Sequence, residues 1–208
     1  MTGFTRLLLV RHGETDHNAT HRLQGQLDIG LNALGLAQAA ALPQALAHEL
    51  IQAIYTSDLL RTVQTAEPLS RALGLPAYAD VGLRERAFGE FEGLAFEEIA
   101  NRWPDLTLRW RSREPGFGAP GGETLAGFAQ RSVQAVAELA QRHGGQTIAV
   151  VTHGGVLDSL YRAAAGVDLQ APRSWRLPNA AINRLLFSEG QFSLVGWCDD
   201  AHLLGIAA

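Results

Sequence analysis

Two short runs of this chain contain no polar residue, Leu7-Leu8-Leu9-Val10 and Ile148-Ala149-Val150-Val151. A strand with one solvated face alternates apolar and polar side chains. An unbroken apolar run of this length therefore predicts a strand buried on both faces, as in a parallel sheet. Ala53 to Thr56 is a shorter candidate of the same kind. Between these runs the pattern turns helical. Residues 34 to 50 are rich in Ala and Leu, with Pro43 expected to kink or interrupt the helix. Residues 59 to 73 predict a second helix, capped by Ser57 or Asp58. Leu125, Phe128, Val133, Val136 and Ala140 recur at helical spacing behind the cap candidate Thr124. A further helix is expected from Gly155 to Ala165, and Ile182–Phe187 and Phe192–Trp197 flank Ser188-Glu189-Gly190-Gln191 as a hairpin. Alternating strands and helices argue for a layered α/β fold, and residues 1–208 fit one domain. Arg109 to Gly122 mixes Arg, Pro and Gly with little periodicity and reads as a loop or lid.

Composition narrows the function. The chain is 47% hydrophobic and 18% charged, which excludes a disordered protein. Its net charge of -4 excludes a global positive field for nucleic acid, so an anionic ligand requires positive charge concentrated in one pocket. No segment reads as a membrane span, and Leu7–Val10 is too short for a signal-peptide core. The single cysteine, Cys198, rules out an intrachain disulfide and fits a reducing compartment, so a cytoplasmic location is the expectation.

The two apolar runs end alike, in Arg11-His12-Gly13 and Thr152-His153-Gly154. In open α/β sheets, sites form beyond the carboxyl ends of the strands. An arginine beside a histidine disfavours the imidazolium, which leaves His12 neutral and nucleophilic, and a guanidinium suits phosphate oxygens. Arg61 is expected in the first turn of its helix, where a cation is unfavourable unless an anion is close. The bland alternative is a surface ion pair with Asp58. Glu85 is a candidate proton donor, and Arg84 and Glu92 are expected to form supporting pairs. The backbone donors of Gly154 and Gly155, opening a helix, suit an anion.

Taken in order, Leu9-Val10-Arg11-His12-Gly13-Glu14-Thr15, Ser57-Asp58-Leu59 with Arg61-Thr62 and Gln64-Thr65-Ala66, Leu83-Arg84-Glu85, Pro120-Gly121-Gly122-Glu123 and Thr152-His153-Gly154 resemble the histidine phosphatase superfamily, also called phosphoglycerate-mutase-like. The resemblance implies a three-layer fold, a mostly parallel central sheet with helices on both faces, and a lid or specificity segment at about 86–122. It implies a metal-independent phosphomonoesterase acting on small organic phosphates. His12 would be the nucleophile that becomes phosphohistidine. Arg11, Arg61 and His153 would form the phosphate pocket, and Glu85 would act as acid and then base. Asn18 matches a polar position on the transferring group, Gln24 and Gly25 match a loop running past it, and Gly154 follows the second histidine. No cofactor or metal is implied. The partner implied is a small phosphomonoester, neither nucleic acid nor membrane, with a homodimer left open.

Other chemistries fit less well. Cys198 precedes Asp199 and Asp200, which would raise its pKa and unsuit it as a thiolate nucleophile. No P-loop is present. His17 and His21 imitate a metal pair, in a turn-rich segment. Within the family the alternative is a cofactor-dependent phosphoglycerate mutase. Mutases resembling this family carry a longer insertion where this chain has Arg86 to Pro120. Phe88, Phe91, Phe96, Trp103, Trp110 and Phe117 in that segment are expected to line a pocket for an organic leaving group, with at most one or two of Arg109, Arg111 and Arg113 reaching the site. A non-catalytic binding protein on the same fold would be expected to lack one of Arg11, His12, Arg61, Glu85 or His153, and all are present.

Overall fold

The computed structural model describes residues 3–206. Six strands form one sheet: β1 (Thr5–Arg11), β2 (Ile51–Thr56), β3 (Ala77–Ala79), β4 (Thr147–Thr152), β5 (Ile182–Ser188) and β6 (Gln191–Asp199). Their spatial order is β3-β2-β4-β1-β5-β6. The first four strands in that order run parallel, and β5 and β6 join antiparallel at the edge. The two apolar runs are thus adjacent central strands.

Because side chains alternate across a strand, each run feeds two cores. Leu7 and Leu9 of β1, with Ile148 and Val150 of β4, pack against α6 (Leu125–Arg142) and α7 (Gly154–Ala165). Leu8, Val10, Ala149 and Val151 pack on the other face against α2 (Ala33–Ala45) and α3 (Leu60–Leu73). The result is the three-layer, mostly parallel architecture expected. Pro43 lies in the last turn of α2, which ends two residues later instead of continuing to residue 50. Thr124 caps α6, its side chain accepting from the Gly127 amide. The hairpin turn is tighter than the sequence suggested. Only Glu189 and Gly190 separate the strands, at φ of 52° and 81°, the pair of left-handed residues that matches strand twist.

Two sequence expectations need correction. Neither Ser57 nor Asp58 caps α3; Leu59 occupies the cap position without a side-chain bond, and Asp28 from a distant loop accepts from the Leu60 amide at 2.7 Å. The segment 86–122 is also more regular than its composition implies. It contains α4 (Phe96–Arg102) and α5 (Pro104–Arg111), the latter absorbing Arg109 to Arg111, after α1 (Asp16–Ala19) earlier in the chain. Its aromatics mostly build a separate small core around Phe91, Ile99, Phe117 and Ala119, against which Trp103 and Trp110 pack. These aromatics are therefore packed against one another and not presented to a ligand, Phe88 and Trp110 excepted.

α2 meets the turn after β1 at a glycine pair. A Cβ on Gly35 would lie 2.0 Å from the Glu14 carbonyl oxygen, and one on Gly13 would lie 2.5 Å from that of Gly35. Replacing a helical glycine by alanine ordinarily stabilises a helix by up to about 1 kcal/mol. Here the sign reverses. Gly35→Ala is expected to destabilise the protein by roughly 1–3 kcal/mol through overpacking. Urea unfolding checks this, and an unchanged or raised midpoint would show that the two backbones have room to separate.

Candidate functional site

Arg11 stands opposite Thr152 in the β1–β4 register, and the next residue on each strand is a histidine. His12 and His153 therefore leave the sheet side by side, both buried, with ring centroids 5.3 Å apart. His12 Nδ1 lies 2.7 Å from the Gly13 carbonyl oxygen. A ring nitrogen facing a carbonyl must carry the proton, which leaves the lone pair on Nε2. Burial holds the His12 pKa well below the usual histidine value, and the charges of Arg11 and Arg61 push the same way. The neighbouring arginine is thus the lesser cause of a shift that desolvation dominates.

Arg61 sits in the first turn of α3 and is fully buried. It donates to the carbonyls of Leu27 and Gly25, each at 2.8 Å, and through Nε to His153 Nδ1 at 3.2 Å. A guanidinium only donates, so His153 Nδ1 is the acceptor and its proton resides on Nε2. That N–H is buried and has no partner among the described residues, and the same is true of Arg11 Nε. Arg11 is anchored by the Leu177 carbonyl. Burial pushes both guanidiniums down to about 10, so both remain cationic at neutral pH. His153 is held well below the ordinary histidine value by burial, then by Arg61, His12 and Arg11. It is a neutral donor. The surface pair of Arg61 with Asp58 does not form; Asp58 binds Arg84 instead, which lowers the Asp58 carboxyl pKa.

Glu85 faces the same cavity, held by two backbone amides, Arg86 N at 2.8 Å and Gly155 N at 2.9 Å. The Gly155 donor expected to meet a ligand is therefore spent on this carboxylate. Gly154 opens α7 against Arg11, where a Cβ would approach Nε to 3.5 Å. Asn18 Oδ1 accepts from the Thr15 amide and from Asn179 Nδ2, which turns its own amide N–H groups toward the cavity it lines. Gln24 is buried and accepts from Thr15 Oγ1 at 2.9 Å. Gly25 adopts φ +52°, and a Cβ there would lie 2.0 Å from Glu92 Oε1, so the position is closed to other residues while its carbonyl serves Arg61. Arg11, His12, Asn18, Gln24, Gly25, Arg61, Glu85 and Gly154 line one cavity of about 700 Å³, while His153 is buried beside His12 and does not itself line it.

That cavity contains seven arginines against the two acids Glu85 and Asp158. A chain with a net charge of -4 thus concentrates its positive charge in one place. Of the segment's aromatics only Phe88 and Trp110 line the cavity; Phe128 and Trp175 complete the apolar wall. Of Arg109, Arg111 and Arg113 only Arg113 reaches it, joined there by Arg86 from the start of the segment, while Arg109 pairs with Glu114 and Arg111 stacks on Phe96.

Two supporting residues, Asn179 and Arg131, had no readable signal, and a third, Thr65, stood in the Gln64-Thr65-Ala66 motif without a role assigned to it. Asn179 donates to the His12 carbonyl at 2.9 Å and to Asn18, tying the β1 turn to the segment before β5. Arg131 of α6 binds the carbonyls of Gly82, Arg84 and Glu85 and the Glu123 carboxylate. Thr65 accepts from the Gly13 amide at 2.9 Å. Burial, helped by Asp200 and Asp199, raises the Cys198 thiol pKa. His21 lies beyond the end of α1 at φ 54°, so it does not share a helical face with His17. No cluster of three or more His, Cys, Asp or Glu suited to a metal ion occurs among the described residues, and no helix among them is long and apolar enough to cross a membrane.

The comparisons agree with this geometry. The family described as the histidine phosphatase superfamily (branch 1) matches residues 7–200. A metal-independent phosphoserine phosphatase of Arabidopsis thaliana is 36% identical over 97% of this chain and 84% of its own length. A probable phosphoglycerate mutase of Yersinia enterocolitica is 33% identical over 95% and 94%. Among solved structures, Bacillus stearothermophilus YhfR superposes with a TM-score of 0.89 at 32% identity, covering 96% of this chain and 99% of that one. With the paired histidines, buried Arg61, partly buried Arg11 and this match along nearly its whole length, the chain belongs to the histidine phosphatase superfamily.

Proposed function

We propose that this chain is a metal-independent phosphomonoesterase that forms a phosphohistidine on His12 and hydrolyses small organic phosphates in the cytoplasm. One observation carries the reading. The unprotonated Nε2 belongs to a histidine flanked by Arg11 and, with ring centroids 5.3 Å apart, by His153, and the buried N–H groups Arg11 Nε and His153 Nε2 have no acceptor among the described residues. Such donors cost free energy unless an acceptor completes them, and a phosphoryl group supplies acceptor oxygens in every direction.

In the first step the Nε2 lone pair attacks phosphorus, the N–P bond forms, and the bond from phosphorus to the ester oxygen breaks. The two guanidiniums, with the His153 N–H and the Asn18 amide, meet the charge on the equatorial oxygens. Glu85 gives its proton to the departing oxygen. In the second step water adds to phosphorus as the N–P bond breaks, and Glu85 takes the water proton back. The two arginines supply the charge neutralisation that a metal supplies elsewhere. Segment 86–122 acts as the cover of the cavity. A short cover that admits water to the phosphohistidine would favour hydrolysis over return of the phosphoryl group to a second substrate hydroxyl, as a mutase requires. The phosphatase activity named for the Arabidopsis relative supports the same choice.

Brief exposure to a reactive phosphodonor in excess chelator is expected to place an acid-labile phosphoryl group on His12. Peptide mapping after quenching checks this, and a label retained by His12→Ala would reject the assignment. Glu85→Gln is expected to slow hydrolysis of alkyl phosphates by about 10²–10⁴ while sparing p-nitrophenyl phosphate, whose phenolate leaves with little protonation. Equal losses on both substrates would give Glu85 a structural role. Because burial lowers the His12 and His153 pKa values, neither imidazole should charge as pH falls through about 6.5, the ordinary histidine value. The unfolded chain takes up those protons first, so stability should decline as pH drops below that value. Imidazole NMR titration and denaturant midpoints measure both effects; titration of either ring at its ordinary value would contradict the neutral pocket.

A further inference from the structure

The cavity is far larger than a phosphoryl group, and its remaining charge is unevenly committed. Arg86 donates to the carbonyls of Glu123 and Phe117. Arg113 binds the Leu169 carbonyl and Asp158, and Asp158 is shared with buried Arg162, so that acid is already neutralised. Arg22 binds Gly93 and Glu98, and Arg176 pairs with Asp200. Arg173 differs. It lies on the connection between α7 and β5 and lines the cavity, yet among the described residues it makes no hydrogen bond or ion pair with the protein. It is also close enough to both Arg11 and Arg113 for its charge to depress their pKa values. Glu85 offsets part of the charge on Arg11, and Asp158 part of that on Arg113. Arg173 is exposed at the cavity and has no acid bound to it among the described residues, so its charge is free for an anion brought by the ligand.

Resting on the phosphatase reading, we propose that Arg173 is a specificity residue that binds a second oxyanion on the substrate, carried by the alcohol that leaves. The preferred substrates are then phosphomonoesters of short acids or bisphosphates, not of neutral alcohols. The oxyanion is a carboxylate or a second phosphoryl group, and matched substrates separate the two. O-phosphoserine differs from O-phosphoethanolamine only in its carboxylate. Ethane-1,2-diyl bisphosphate differs from 2-hydroxyethyl phosphate only in its second phosphoryl group.

The experiment measures kcat/KM for both pairs, with p-nitrophenyl phosphate as reference, in the wild type, in Arg173→Gln and in Arg71→Gln. Arg71 is an exposed residue of α3 paired with Glu67, so its loss changes net charge equally but away from the cavity. The wild type is expected to favour the anionic member of at least one pair by about tenfold or more, the worth of a charge-assisted hydrogen bond. Arg173→Gln should remove most of that ratio and Arg71→Gln should keep it. Which pair shows the ratio identifies the oxyanion. Turnover of p-nitrophenyl phosphate with no preference in either pair, or with a preference that survives Arg173→Gln, would overturn the assignment while leaving the phosphatase reading intact. No turnover of any phosphomonoester by the wild type would reject the phosphatase reading itself, and this assignment with it.

Discussion

A fully buried guanidinium, Arg61, and a partly buried one, Arg11, held at one cavity set the terms for the rest of this structure. Removing an ion from water costs several kcal/mol even after relaxation, and two like charges add their mutual repulsion. Among the described residues no carboxylate pairs directly with either one. Main-chain carbonyls from Gly25, Leu27 and Leu177 carry the load, with Glu85 acting at a longer range. Neutral acceptors of this kind stabilise the cations without cancelling their charge. The field that would otherwise be quenched by an ion pair is preserved for a ligand. Burial is the main reason both imidazoles stay neutral and the same field adds to it, so one arrangement fixes the electrostatics and the protonation state of the site together.

The sheet supplies the geometry that this chemistry needs. Adjacent parallel strands place their carboxyl ends at one level, so a histidine after each arrives at the same height. Because those strands are buried on both faces, neither has freedom to slip by a residue; a slip would send Leu7 and Leu9 into the opposite core. The precision of the histidine pair is thus inherited from apolar packing well below it.

Much of this was legible in the chain. Leu7–Val10 and Ile148–Val151 announced buried strands because nothing polar interrupts them, and the His-Gly steps that follow marked where the strands stop. The ordered motifs pointed to the family and brought Arg61 and Glu85 to the same end of the sheet before any coordinates were known. What stayed hidden depends on contacts between distant residues. Asp28 caps a helix more than thirty positions away, so no local pattern at Ser57 or Asp58 betrays that the cap is supplied from elsewhere. Asn179 has ordinary neighbours and becomes important only when β5 docks beside β1. The aromatics of segment 86–122 were misjudged for a related reason: composition shows that they must be buried but not against what, and α4 and α5 provide a nearer partner than the cavity.

The loop from Gly25 to Asp28 carries an implication for motion. It provides two of the acceptors for the Arg61 guanidinium and, through Asp28, ends the helix on which Arg61 rides. Cation, helix start and loop therefore form a closed mechanical circuit. Lifting the loop would uncap α3 and strip a buried charge of two of its acceptors in one event, so partial opening gains nothing. Fluctuations there should be rare and all-or-none, with the amides of the loop and of the first turn of α3 exchanging with solvent as one cooperative unit instead of fraying residue by residue.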